Sequence, residues 1–245
     1  MARLTRQEDA FGQGIWDHHH GRGSCEIAER DDGWIDISSG PAAYFRPQEE
    51  WPAYEREAIA LAAGRVLDVG CGAGRAALYL QAKGLEVVGI DNSPLAVKVC
   101  RLRGVRDARL MSVTRVSAAA LGQFDTILMF YNPMGNPRRA RWLLGRFGAM
   151  TGASGRIIAS GLDPYDTQEP SHLAYHKLNR RCGRMGGQAR IRIRYKQYAT
   201  PWFDYLMVSR NELRRLVAGT GWRVAKTIDP KGARYIAVLE KENRP

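Results

Sequence analysis

The chain has 245 residues, of which 44% are hydrophobic, and a formal net charge of +12 with a pI near 9.9. This length suits one α/β domain with additions, and the absence of an apolar run of about 18 residues argues against a membrane span. Cys25, Cys71, Cys100 and Cys182 show no paired spacing, which disfavours a disulfide framework or a zinc site. With a polar N-terminus that lacks a signal-peptide apolar region, we expect a cytoplasmic protein.

The first 50 residues mix turn residues and aromatics irregularly, and we expect an N-terminal extension (1–50) with a short helix or two. Beyond it, helix-like and strand-like segments alternate, which predicts a parallel sheet with right-handed crossovers. The predicted strands are 65–69, 86–90, 108–112, 124–131 and 155–160, and the predicted helices are 51–63, 73–83, 94–103 and 137–150.

The pattern changes after the fifth strand. A helix is predicted around 170–182, and residues 189–196 alternate between apolar and basic side chains, which predicts a strand with 202–208 as its antiparallel partner. Ser209 begins another helix, with Glu212 at the spacing of a capping box. The closing elements are a predicted hairpin of 222–228 and 234–240, joined by a turn through Pro230-Lys-Gly232.

The predicted fold class is therefore α/β. We expect a doubly wound, mostly parallel seven-stranded sheet with an antiparallel C-terminal hairpin. The N-terminal extension precedes a domain at 51–245, and this domain carries an inserted helix and β-hairpin subregion at about 161–208 on the substrate side.

A glycine loop follows the first predicted strand. The apolar run of this strand ends in Asp68. Three glycines follow, namely Gly70, Gly72 and Gly74. The second strand ends in another acid, Asp91. Glycines permit positive φ and close approach of a ligand, and an acid at the end of the second strand can accept hydrogen bonds from a ribose diol. A dinucleotide-binding G-x-G-x-x-G motif would need Gly or Ala where this chain has Arg75. A carboxylate before the first glycine suits a cationic ligand better than a pyrophosphate.

The sequence Asp68-Val-Gly-Cys-Gly-Ala-Gly74, together with Asp91, resembles the class I, Rossmann-like S-adenosylmethionine-dependent methyltransferases. The resemblance spans roughly 51–160 and the closing hairpin. It implies S-adenosyl-L-methionine as the cofactor. Many relatives hold the adenine amine with an acid after the third strand, where residues 110–114 offer only hydroxyls. The cofactor-binding residues that we predict are Asp68, Gly70, Cys71, Gly72, Gly74, Asp91, Asn92, Ser112, Val113 and Tyr131.

Candidates for acceptor chemistry lie outside this loop. His172 and His176 stand four residues apart on a predicted helix and share a face, so either is a candidate catalytic base near neutral pH. Two solvent-facing histidines are the alternative. We predict no metal site, since the adjacent histidines 18–20 point in different directions on any regular element. The candidate substrate residues are Tyr44, Arg46, Asn132, Tyr175, Trp202 and Tyr205.

The leading hypothesis is methyl transfer to a small-molecule or metabolite acceptor at oxygen, nitrogen or carbon. Residues 177–196 contain eight basic residues and no acids, which leaves an RNA methyltransferase as an alternative, or simply a solvated face. Residues 132–135 read Asn-Pro-Met-Gly and lack the second proline and the aromatic that nucleic-acid amine methylators of this family often carry. A third hypothesis is a non-catalytic cofactor-binding partner protein. No membrane association is expected, and a homodimer is left open.

Overall fold

The computed structural model describes residues 4–23, 25–38, 40–131, 134–228 and 232–242. Its helices are α1 (Ala10–His19), α2 (Ala53–Ile59), α3 (Arg75–Ala82), α4 (Pro94–Leu102), α5 (Ala118–Leu121), α6 (Pro137–Ala149), α7 (Pro170–Arg181) and α8 (Arg210–Val217). Its strands are β1 (Glu26–Arg30), β2 (Ile35–Ser38), β3 (Arg65–Val69), β4 (Glu86–Asp91), β5 (Asp107–Leu110), β6 (Phe124–Met129), β7 (Thr151–Leu162), β8 (Gln188–Tyr195), β9 (Tyr198–Ala199), β10 (Phe203–Leu206), β11 (Trp222–Ile228) and β12 (Arg234–Lys241).

The larger sheet has seven strands in the order β11-β12-β7-β6-β3-β4-β5. Strands β5, β4, β3, β6 and β7 are parallel, and β12 pairs antiparallel with both β7 and β11. This confirms the predicted fold class, including the closing hairpin. Because parallel strands end at one edge, the loops after β3, β4, β5 and β6 meet there.

Both faces of this sheet are buried. One face packs against α6 and α8 through side chains such as Leu144 and Leu216, and the other packs against α2 and α3 through residues such as Ile59 and Leu80. Burial on both faces explains why β3 reads as a nearly continuous apolar run. The acid of that strand, Asp68, is therefore carried into the interior with 3% of its surface exposed.

Local sequence signals set several helix starts. Ser93 caps α4 by accepting from the Ala96 N–H, with Pro94 in the first turn. Ser209 and Glu212 form the predicted capping box of α8. These caps fix where α4 and α8 begin, and α4 starts directly beside the end of β4.

A smaller antiparallel sheet joins the N-terminal segment to the segment between β7 and α8. Its order is β10-β8-β1-β2, with β9 paired to β8. The predicted pairing of 189–196 with 202–208 is confirmed by β8 and β10, where Phe203 lies opposite Ile191. Strands β1 and β2 were not predicted, because the expectation for residues 1–50 was helical. They form because β1 pairs with β8 across a long sequence separation, with Ala28 opposite Ile193.

Among the described residues, no helix is both long and apolar enough to cross a bilayer. In the same part of the chain, no cluster of three or more His, Cys, Asp or Glu side chains is arranged to hold a metal ion.

Candidate active site

The glycine loop between β3 and α3 is anchored at its base. The N–H groups of Gly70 and Cys71 both donate to the carbonyl oxygen of Ile90, at 2.8 and 3.0 Å. Gly74 has φ 80°, and a Cβ atom added there would lie 2.8 Å from the Sγ atom of Cys100. Only glycine fits this position, since it lacks the Cβ atom and tolerates positive φ.

The tip of the loop is open. Gly72 has φ 54°, and an added Cβ atom would meet only Ile15 Cδ1 within 4 Å, at 3.9 Å. Ile15 belongs to α1, so the N-terminal helix lies over the glycine loop. The free side of Gly72 lets a ligand approach the backbone closely, and any side chain at this position would take up that space.

Asp91 ends β4 beside this tip. Its Oδ2 atom accepts from the Gly72 N–H at 3.0 Å, and its Oδ1 atom accepts from the Ser93 N–H at 2.9 Å. Burial raises the pKa of Asp91, whereas these two hydrogen bonds lower it. Each carboxylate oxygen accepts one bond in this arrangement and can accept another, which is the property that a vicinal diol requires.

Asp68 is buried at the end of β3. Its Oδ2 atom has no hydrogen-bond partner among the described residues. Burial, and next the charge of Asp91, raise the pKa of Asp68 to about 7, while Arg75 and the Ala77 N–H lower it. A buried carboxylate oxygen without a partner is costly, and a cationic group of a ligand would satisfy it.

The predicted cofactor residues Asn92, Ser112 and Val113 lie at the same edge of the larger sheet. Cys71 lies in the glycine loop itself. The Met111 N–H donates to the Asp91 carbonyl at 2.8 Å, so Ser112 and Val113 directly follow that contact, and Asn92 is exposed beside it. The Cys71 Sγ atom lies 3.8 Å from that of Cys100 and is buried. The backbone of Cys71 therefore lies in the loop, whereas its thiol is buried in the core.

Tyr44 connects the N-terminal segment with the loop edge. Tyr44 and Phe45 pack on a cluster that contains Ile15 of α1 and Ala73 of the glycine loop. The Tyr44 hydroxyl donates to Glu26 Oε2 at 3.0 Å. Burial and then the charge of Glu26 raise the pKa of Tyr44, with smaller contributions from Tyr205 and Asp91. Tyr44 thus lies within electrostatic range of both Asp91 of β4 and Tyr205 of β10.

Glu26 itself is a buried acid with 4% of its surface exposed. Its Oε1 atom has no partner among the described residues and lies near Gly14 of α1. Burial raises its pKa to about 7, and the hydrogen bond from Tyr44 lowers it. At neutral pH this carboxyl is therefore close to the midpoint of its titration.

Tyr131 follows β6 in a strained backbone conformation. The predicted strand 124–131 ends instead at Met129, because Tyr131 takes φ 55°, a left-handed value that is uncommon outside glycine. Its N–H donates to Ser160 Oγ at 2.6 Å. Strain of this kind tends to occur at functional sites. The next predicted residue, Asn132, lies outside the described residues.

A buried ion pair supports the Tyr131 side chain. The Tyr131 hydroxyl donates to Glu55 Oε1, and Arg75 donates to Glu55 Oε2 at 2.8 Å. Burial raises the pKa of Glu55, and the charges of Arg75, Arg234 and Arg46 lower it in that order. Arg46 is exposed, and its backbone carbonyl accepts from the Trp51 indole at 2.9 Å.

The predicted histidines lie on α7, against the smaller sheet and its flanking loops. His172 contacts the ring of Trp34 edge-on at 4.8 Å, and its Nδ1 atom lies 3.3 Å from Thr167 Oγ1. His176 is buried against Tyr165, with ring centroids 5.4 Å apart. Burial lowers the pKa of His176, and the charge of Arg180 lowers it further. Their catalytic role stays a prediction.

Tyr175 and Trp202 also make structural contacts. The Tyr175 hydroxyl donates to Asp31 at 2.6 Å, and the Arg30 guanidinium lies 4.2 Å from its ring centroid. The guanidinium carbon of Arg192 lies 4.9 Å from the ring centroid of Trp202. These contacts stabilise the smaller sheet and give neither residue an observed place beside the glycine loop.

Tyr205 differs, because it lines a cavity of about 50 Å³ beside the end of β6. Tyr131 and Ser160 line the same cavity, with apolar walls from β10 and α8 that include Leu206 and Leu213. Neither predicted histidine is among its lining residues. The structure therefore brings Tyr131 and Tyr205 together and leaves the histidines elsewhere.

Sequence reasoning did not identify four charged residues near these groups. Glu26, Glu55, Arg75 and Arg234 were not proposed for the site, and Arg75 was noted only as a departure from a dinucleotide motif. An acid in a short amphipathic segment reads as solvent-facing. Its burial depends on partners far along the chain, which no local pattern reveals.

Comparison with known proteins agrees with this geometry. A family profile described as "Methyltransferase domain" matches residues 66–146. The ubiquinone biosynthesis O-methyltransferase of Xanthomonas oryzae pv. oryzae is 39% identical over 79 residues, which are 30% of this chain and 33% of that protein. The match thus covers only about a third of the length of this curated relative.

Two solved structures extend the comparison. A SAM-dependent methyltransferase from Bacteroides fragilis, in complex with S-adenosyl-L-homocysteine, is 29% identical, covers 98% of both chains and has a TM-score of 0.82. The 1,6-didemethyltoxoflavin-N1-methyltransferase of Burkholderia thailandensis is 16% identical, with a TM-score of 0.54 over 99% of this chain and 93% of that one. The second likeness concerns the fold alone.

With this fold, the glycine loop and the acids that end β3 and β4, the chain belongs to the class I S-adenosylmethionine-dependent methyltransferases. Its cofactor is S-adenosyl-L-methionine. The residues present fit that group. Asp91 would accept from the ribose diol, the open side of Gly72 would let the cofactor pass closely, and the unpartnered Oδ2 of Asp68 would face its cationic ammonium.

Proposed function

We propose that this protein transfers a methyl group from S-adenosylmethionine to a hydroxyl oxygen of a small-molecule acceptor. The observation that carries the proposal is the aromatic cavity beside Tyr131 and Tyr205, at the same sheet edge as the glycine loop and Asp91. The bound sulfonium supplies an already activated methyl group. The protein therefore needs mainly to hold the acceptor in line and to take its proton.

We assign that proton to the hydrogen-bonded pair of Tyr44 and Glu26. Neither residue lines the cavity, but Tyr44 lies within electrostatic range of Tyr205, which does. The Tyr44 hydroxyl already donates to Glu26 Oε2 at 3.0 Å. A proton that leaves the acceptor oxygen can pass to the Tyr44 oxygen as the Tyr44 proton moves to Glu26. Since the pKa of Glu26 is raised to about 7, a substantial fraction of this carboxyl is ionised at neutral pH and ready to receive it.

The name of the Xanthomonas relative supports oxygen as the methylated atom, through a match over 79 residues that covers 33% of that protein. The RNA alternative has less support. Arg192 and Arg194 of the basic stretch lie 2.8 and 3.6 Å from Glu29, and Arg141 donates to the carbonyls of Leu216 and Ala218. These side chains are engaged within the protein.

The experiment is a screen of small phenols and hydroxy acids with S-adenosylmethionine, in which formation of S-adenosylhomocysteine is measured. For an acceptor found in this way, Tyr44→Phe and Glu26→Gln should each lower kcat by about a hundredfold, the usual contribution of a proton acceptor. His172→Gln and His176→Gln serve as matched variants on α7 and should retain activity.

If the histidine variants lose activity while Tyr44→Phe keeps it, the base lies on α7 and the proton path proposed here is wrong. If the protein binds S-adenosylmethionine but methylates no hydroxyl acceptor of the screen, the proposal of oxygen methylation is wrong.

A further inference from the structure

The cavity beside Tyr131 has an uneven distribution of charge. Among the described residues that line it, Arg234 is the only charged one. The remaining walls are aromatic or apolar, apart from Ser160 and backbone. A single guanidinium at an otherwise neutral wall is the usual arrangement for binding one anionic group of a ligand that is mostly apolar.

Glu55 lies within electrostatic range of Arg234 but forms no ion pair with it. Glu55 accepts from Arg75 at one oxygen and from the Tyr131 hydroxyl at the other. The charges of Arg234 and Arg46 are close enough to lower the pKa of Glu55. Neither forms an ion pair with any carboxylate in the part of the chain that the structure describes.

Around Glu55, therefore, one carboxylate faces the three guanidinium groups of Arg46, Arg75 and Arg234. Arg75 is the guanidinium that pairs with Glu55, and neither Arg46 nor Arg234 pairs with that carboxylate. Arg46 follows Tyr44 and Phe45, which pack on the glycine loop. Arg234 lies on the cavity side, where its guanidinium is 5.9 Å from the ring centroid of Tyr131.

We propose that Arg234 is a binding site for a carboxylate on the methyl acceptor, and hence that the acceptor is a small aromatic or unsaturated acid. This inference rests on the proposed function, since it concerns the same cavity. The planar fork of a guanidinium matches a carboxylate in two parallel hydrogen bonds. The cavity of about 50 Å³ is too small to enclose such an acid, so its ring would lie at the cavity mouth, against the exposed ring of Tyr131.

The test uses the full-length protein saturated with S-adenosylhomocysteine and titrated with benzoate, with neutral benzamide as the matched probe. Benzoate should bind in the millimolar range or tighter, and benzamide should bind at least about tenfold more weakly, since it lacks the charge. Arg234→Gln should weaken benzoate binding by about tenfold without changing the affinity for S-adenosylhomocysteine.

Arg223→Gln is the control variant, because Arg223 lies on the partner strand of the same hairpin and pairs with Glu240 at 2.8 Å. It should bind benzoate as the wild type does. Absence of benzoate binding to the loaded wild type overturns the inference, as does equal binding of the two probes or unchanged benzoate affinity in Arg234→Gln. Failure to bind S-adenosylhomocysteine at all contradicts the proposed function instead.

Discussion

The carboxylate of Asp91 accepts a hydrogen bond from the backbone N–H of Gly72, at 3.0 Å. The acid that ends β4 is thus joined to the open tip of the glycine loop that follows β3. This bond orients the carboxylate and the loop together before any ligand binds. Preorganisation of this kind lowers the entropic cost of binding. The carboxylate and the loop are held in place by the ends of two neighbouring strands.

Gly72→Val should abolish cofactor binding. A branched side chain at φ 54° strains the backbone, by about 1–3 kcal/mol, and also fills the open side of the loop. The measurement is calorimetric titration with S-adenosylhomocysteine. Gly84→Val is the matched control, because Gly84 has φ 84° with nothing within 4 Å of an added Cβ atom. It should show a similar loss of stability with unchanged affinity, and equal loss of binding in both variants would contradict the role given to Gly72.

Affinity for S-adenosylhomocysteine should rise with pH around neutrality. Burial raises the pKa of Asp68 to about 7, so at lower pH the carboxyl is protonated and attracts the ligand ammonium less. Between about pH 6 and about pH 8 the ionised fraction grows from about a tenth to about nine tenths, so affinity should rise by up to about tenfold. Asp68→Asn should flatten this dependence. A slope that persists in Asp68→Asn would assign it to another group.

Glu26→Gln should make the protein more stable at alkaline pH relative to the wild type. Since the pKa of Glu26 is raised from 4.5 to about 7, the fold favours its protonated form. Its contribution to stability is complete below about pH 4.5 and is lost as the pH rises through 7. Between those limits the unfolding free energy of the variant should gain about 3 kcal/mol on that of the wild type.

Chemical denaturation across this pH range measures that difference. The control is Glu57→Gln, since Glu57 is half exposed and pairs with Lys226 at 2.7 Å on the surface. Its unfolding free energy should follow the wild type within a fraction of a kcal/mol. A pH-independent difference between Glu26→Gln and the wild type would show that Glu26 is not desolvated as described.

The larger sheet was predictable because its signals are local. Buried parallel strands read as apolar runs, and Asp68 and Asp91 mark where two of them end. Strands β1 and β2 carry no such signal. The side chains of Ile35 and Ile37 in β2 are 52% and 68% exposed, so this strand is held by pairing with β1 rather than by burial.

The cofactor side of the site was accessible to sequence reasoning, whereas the acceptor side was not. Glycine spacing specifies the loop, since positive φ and close approach demand glycine there. Glu26 and Glu55 instead become buried only when Tyr44, Tyr131 and Arg75 are brought to them by the fold. Similarly, the predicted strand at 124–131 gave no indication that its last residue would leave it with positive φ.

The central claim is that Asp91 and the glycine loop hold S-adenosylmethionine, and calorimetric titration with S-adenosylhomocysteine tests it most directly. The wild type should bind in the micromolar range. Asp91→Ala should bind at least about tenfold more weakly, because a carboxylate that accepts from the ribose diol is lost. Asp107→Ala, which removes a half-exposed acid on the adjacent strand β5, should bind as the wild type does. Unchanged affinity in Asp91→Ala, or no binding by the folded wild type, would contradict the account.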